Sequence, residues 1–257
     1  MSENKNEVAE VNATAMSTFD DTLLSGGTGL EETTTEDFAI PFIRVLQPMS
    51  PQLIKTHGSY VAGASAGDLY NTVTGEAFDG EQGLSIVPCA YNKKYIEWIP
   101  REKGGGLINA GHDISILSKC TRDAESRRYY TAEGNEIVET AQFFVLVVKE
   151  DTAQQAVLAF TSTQLGVSRK WLTMLRMARV LNSKGDSVEA PMFAYTYKLT
   201  STTQSNDKGS WNAYSINQES ATAMPIAMMA KEFMSAARTG DVDVKQEQQN
   251  DVVNDTI

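Results

Sequence analysis

Cysteine and histidine are almost missing from this chain: among 257 residues there are two of each, Cys89 and Cys120, His57 and His112. Two cysteines build no disulfide framework and read as reduced, half-buried or buried thiols in a reducing compartment. A zinc site using all four residues would need spacings of 32, 23 and 8, which match no local ligand pattern. GxxxxGK[ST], GxSxG, HExxH and paired CxxC are also missing, so the phosphate-cradling loop, the nucleophile elbow and the local zinc signatures are excluded. Gly104-Gly105-Gly106 follows a strand pattern but opens no helix, which makes it a flexible turn and not a dinucleotide loop. No apolar run approaches the roughly 18 residues of a membrane span. No basic n-region precedes an apolar stretch either. We expect a cytoplasmic protein that needs no cofactor.

Positive charge is scarce in total, 22 Lys and Arg against 33 Asp and Glu, for a net charge of -11. The imbalance sits at the ends. Residues 1–37 hold one base and nine acids, and residues 239–257 one base and five acids, leaving 20 bases and 19 acids for 38–238. Both ends are rich in Glu, Asp, Asn, Gln, Ser and Thr and too poor in apolar residues to offset the entropy of ordering. The expected organisation is therefore a disordered acidic arm over 1–36, a folded domain over 37–238 and a disordered acidic tail over 239–257.

Within the middle, two prolines in 38–48 predict an extended lead-in strand. Strands follow at 69–73, 84–91 and 91–99. Residues 143–148 are apolar on both faces and too short for a buried helix, so they predict a central strand, paired across a polar turn with 157–161. Phe193, Tyr195, Tyr197 and Leu199 alternate with smaller or polar residues, a half-buried strand whose partner is 211–216 across a long polar loop, 201–210. Helices are predicted at 164–181, where Val167, Trp171, Met174, Leu175, Ala178 and Leu181 share one arc opposite Arg169, Arg176 and Arg179, and at 225–237. The fold class expected is mainly β, α+β: an OB-like antiparallel β barrel with one or two helices and disordered acidic termini.

Aromatic and basic residues share several of these strands. Tyr91, Lys93 and Tyr95 alternate with Lys94, Ile96 and Trp98, and Arg101 and Lys103 lie just beyond. Tyr197 precedes Lys198, and Lys208 precedes Trp211 and Tyr214. Rings that stack bases, interleaved with cations that follow phosphates, suit single-stranded nucleic acid, at about 1–3 kcal/mol per stacked base. In a barrel half of each strand points inward, so about half of these rings serve the core. Carboxylates gathered by the fold into a two-metal nuclease site are the catalytic alternative. However, the acids of the middle are scattered among bases, as on a solvated surface.

Several segments resemble a family of tailed-bacteriophage early proteins regarded as single-stranded DNA-binding proteins with an OB-type barrel. They are Asp37-Phe38-Ala39-Ile40-Pro41-Phe42-Ile43-Arg44-Val45-Leu46-Gln47 with Ser50-Pro51-Gln52, and Gly67-Asp68-Leu69-Tyr70-Asn71-Thr72-Val73-Thr74-Gly75. Tyr95-Ile96-Glu97-Trp98-Ile99-Pro100-Arg101 and Tyr197-Lys198-Leu199 with Lys208-Gly209-Ser210-Trp211 complete them. The resemblance implies a non-enzymatic protein of phage DNA replication or recombination in the cytoplasm of the infected host. It further implies an acidic tail that recruits replication or recombination proteins and competes with DNA for the basic groove. The tail here departs from that plan, its acids diluted by Gln and Asn and its end, Asn254-Asp255-Thr256-Ile257, lacking an aromatic residue. Tyr91, Tyr95, Trp98, Tyr197, Trp211 and Tyr214 are the stacking residues expected, and Lys93, Lys94, Arg101, Lys103, Lys198 and Lys208 the phosphate contacts. The other reading is a phage structural or host-takeover interaction protein, whose acidity keeps it soluble or imitates DNA.

Overall fold

Six consecutive apolar residues at 143–148 need cover on both sides of a sheet, and the fold is organised around providing it. The computed structural model describes residues 25–33, 39–150, 152–207, 209–239 and 244. In chain order its strands are β1 (Ile43–Val45), β2 (Leu69–Asn71), β3 (Ala77–Phe78), β4 (Leu84–Trp98), β5 (Leu107–His112), β6 (Thr121–Arg122), β7 (Tyr129–Tyr130), β8 (Glu136–Lys149) and β9 (Thr152–Thr161). Helix α1 (Leu165–Met177) follows, then β10 (Arg179–Leu181), β11 (Ser187–Glu189), β12 (Tyr195–Asn206), β13 (Gly209–Ala221) and helix α2 (Met224–Thr239). The protein is mostly β, with a curled antiparallel half-barrel and few helices. No helix of the described residues is long and apolar enough to cross a membrane.

The large sheet runs β13-β12-β4-β8-β7-β6, with β5 added to β4 and β9 to β8. Its inner face packs Ile86, Phe143, Val145, Leu158, Phe160, Tyr197, Leu199 and Tyr214 against Trp171 and Leu175 of α1 and against Ile43, Val45 and Leu69 of the small sheet β1-β2-β3. Trp171 stacks on Phe143 at 4.3 Å and meets Tyr197 edge-on at 5.6 Å. The outer face packs Val87, Cys89, Phe144, Leu146 and Val157 under Ile226, Ala230 and Phe233 of α2. Val244 is buried in the same cluster.

β4 is one strand of 15 residues where the sequence suggests two runs. Pro88 falls at its irregularity, where the ladder to β8 shifts between Pro88 and Ala90, which is where a residue without an N–H does least harm inside a sheet. The stretch 201–210 is likewise no loop: β12 and β13 pair from Tyr195↔Ala221 out to Asn206↔Gly209. α1 is shorter than its apolar arc, because Ala178 turns extended and the chain enters β10.

The open side of the half-barrel is bridged by residues 41–47. On one flank Val157 N donates to Pro41 O at 2.8 Å, beside a parallel bridge between Phe42 and Val157 of β9. On the other flank the Gln47 side chain stands in for a strand: its Nε2 donates to Asn212 O and its Oε1 accepts from Asn212 N, both at 2.9 Å. Tyr214 completes this seam by donating its hydroxyl to Ile43 O at 2.6 Å. Glycine is required where the chain crosses itself. A Cβ at Gly83, where φ is +66°, would lie 2.2 Å from Leu199 O.

Candidate functional site

Cross-strand partners share a face, so the register of β4 and β8 sorts the expected site residues. Tyr91 lies opposite Phe143, Lys93 opposite Ala141 and Tyr95 opposite Glu139, all on the inner face; Lys94, Ile96 and Trp98 lie opposite Thr140, Val138 and Glu136 on the outer face. β7 and β6 extend the inner row, with Ile137 opposite Tyr129 and Tyr129 opposite Arg122. The Arg122 guanidinium sits 5.5 Å from the Tyr129 ring centre, an attractive cation–π distance. Arg169, exposed on α1, acts electrostatically on Tyr91 from the other end. A strip results on the inner side of the sheet, beyond the cover of the core: Arg169, Tyr91, Lys93, Glu139, Tyr95, Tyr129 and Arg122.

The chemistry of the strip follows from its partial burial. Lys93 Nζ donates to Glu139 Oε1 at 2.8 Å, and that hydrogen bond holds the ammonium above its ordinary pKa. Burial raises the Tyr91 hydroxyl, against the opposing pull of Lys93 and Arg169. Tyr95 is raised by burial first and by Glu139 second. Tyr91 keeps one edge on Phe143 at 5.0 Å and remains half-buried, as does Tyr129. Beneath the neighbouring β5, the buried Glu97 accepts from Asn135 Nδ2 at 2.8 Å and contacts His112 Nε2 at 2.9 Å. That pair ties β5 to β4. Among the described residues no three of His, Cys, Asp and Glu gather as a metal site.

The expected residues do not form one trough. Tyr197 (0% exposed) and Tyr214 (5%) are core, and Tyr95 (4%) is nearly so. Tyr197 and Tyr214 have no face to offer a base, because they lie where α1 and the small sheet pack, and Tyr95 is the buried member of the strip. Tyr214 is instead a clamp on the seam. Lys198 points to the outer face opposite Ser85, and Trp211 belongs to the same side of the projecting β12–β13 ribbon. Trp98 and Lys94 are half-buried on the outer face, while Arg101 and Lys103 are exposed in the turn after β4, Lys103 reaching Gly134 O at 3.4 Å. Lys208 lies outside the described residues, as do most positions of the two acidic ends. Tyr91 and Lys93 are thus the expected pair that the fold brings together at the surface. Arg122, Tyr129 and Glu139 were not singled out by sequence, and Arg169 was seen there as part of a basic helix face.

Compared with known proteins, residues 7–243 match the family model of the Pam3 phage gp34-like protein. Neither a curated protein nor a solved structure matches the chain.

Proposed function

The chain belongs to the Pam3 phage gp34-like family, and on that premise we propose that it binds single-stranded DNA without transforming it, in the replication or recombination of phage DNA. The observation that carries this reading is the inner-face strip, where the half-buried rings of Tyr91 and Tyr129 alternate with Lys93, Arg122 and Arg169. Unpaired bases stack on such rings and the cations between them neutralise phosphates. The mixed charge of the middle segment agrees with a local electrostatic site and not with a wholly basic protein. Lys93 is already paired with Glu139, so Arg122 and Arg169 are the cations counted, and they correspond to a slope of about -1.4 in log affinity against log salt, at roughly 0.7 per phosphate neutralised on a single strand.

Fluorescence anisotropy of a labelled mixed-sequence 30-mer, repeated across salt, tests the proposal. Binding that weakens with that slope supports it, and no binding by folded protein at low salt removes it.

A second reading, a phage structural or host-takeover interaction protein, is favoured by one observation. Met224, Met228 and Met229 are exposed on α2, and methionines on a surface serve adaptable protein contacts. That reading predicts indifference to oligonucleotides and stable co-purification with a protein partner.

A further inference from the structure

The strip contains one group that a simple phosphate-and-stacking surface would exclude. Glu139 stands directly across from Tyr95 and diagonal to Lys93, with its side chain 31% exposed. Its Oε1 is taken by Lys93, and its Oε2 has no hydrogen-bond partner among the described residues. A carboxylate only accepts hydrogen bonds, and it repels phosphate. An open carboxylate oxygen between Tyr91 and Tyr129 therefore asks for a donor, and the donors a nucleic-acid strand carries are on its bases.

We infer that Glu139 is a specificity-determining residue that makes the strip accept amino-bearing bases, cytosine above all, over thymine. This inference rests on the proposal that the strip binds unpaired nucleotides, and it adds which ones and in which orientation. A base stacked on Tyr91 turns its pairing edge toward Glu139, and the sugar-phosphate chain runs on the side of Arg169 and Arg122. Cytosine offers its N4 amino group to a carboxylate, whereas thymine offers two carbonyl oxygens around a single N–H, so one base is attracted and the other partly repelled. The Lys93 ammonium, 2.8 Å from Oε1, fixes the carboxylate's rotamer, so the acceptor is in place before the strand arrives. On a partly solvated strip we expect roughly five- to tenfold tighter binding of oligo-dC than of oligo-dT.

The test measures oligo-dC and oligo-dT side by side, by anisotropy, on the full chain and on Glu139→Gln. The amide of Gln both donates and accepts, so it serves thymine as well as cytosine. Its shape and partial exposure leave the fold undisturbed, which circular dichroism verifies. A preference for oligo-dC in the parent chain that falls to about one in E139Q, chiefly through weaker oligo-dC binding, supports the inference. Equal affinities in the parent chain overturn it and leave single-strand binding standing. A preference that survives in E139Q also overturns it, because another group is then the reader. Binding of neither oligonucleotide by folded protein overturns the inference and the proposed function together.

Discussion

Strands β4 and β8 run side by side through two different surroundings. From Leu84 to Ala90, against Phe144 to Val148, both faces are covered, by α1 and the small sheet within and by α2 without. From Tyr91 to Trp98, against Glu136 to Phe143, cover is partial, and the same two strands carry Lys93, Lys94, Glu97, Glu136 and Glu139. The difference teaches that a tyrosine in this fold takes its role from the cover over its own position and not from the lysine near it in sequence. Tyr197 lies next to Lys198 and is core, whereas Tyr91 lies two residues from Lys93 and keeps an accessible edge.

Four measurements break or sharpen that comparison. Trp171→Ala, which removes the ring stacked on Phe143, should cost about 3–5 kcal/mol of unfolding free energy in a denaturant titration. If it costs under about 1 kcal/mol, the covered half is no true core.

Alkaline pH acts on the same half. Burial pushes the Cys89 thiol up from 9.0 to about 12, and Tyr197 is raised too, chiefly by burial. The folded state thus holds these protons more tightly than the unfolded one. The associated stability is complete below about pH 9 and lost as pH climbs toward 12, by up to about 4 kcal/mol for the thiol. A melting-temperature series from pH 8 to 12 should show this fall, and Cys89→Ala should flatten it.

In the other half, Lys93→Ala with Arg169→Ala should weaken single-strand affinity roughly tenfold at low salt and shallow the salt slope by about one unit. Unfolding free energy should shift by less than about 0.5 kcal/mol for these surface changes. Unchanged DNA affinity would detach the strip from binding. The smallest effect belongs to Tyr197→Phe. The Tyr197 hydroxyl is buried with no partner among the described residues, so its removal should stabilise the protein by about 1 kcal/mol and leave affinity for DNA alone.

Much of the architecture was legible because periodicity reports burial. The apolar run at 143–148 is a central strand with Phe143 on one core and Phe144 on the other. The arc through Val167, Trp171 and Leu175 is a helix, as is the segment after Pro225. The role of Tyr197 was also written there: it alternates in phase with Leu199 against Thr196 and Lys198, which marks the ring side as the inward one. Two parts of the strip had no such signal. Arg122 and Tyr129 sit in strands of two residues each, too short for a period, and their approach to Tyr95 depends on pairing with β8. The seam was equally hidden, since a glutamine side chain acting as a strand leaves no pattern in composition.

That seam also orders events during synthesis. Gln47 and Asn212 are 165 positions apart, so a ribosome must release all the residues between them before this flank of the half-barrel can close. Until then the nascent sheet emerges with an unsealed flank. This long-range join is held by a pair of amide contacts and one phenol, and a substitution at Gln47 should therefore lower the yield of native molecules in cells more than its thermodynamic cost alone would suggest.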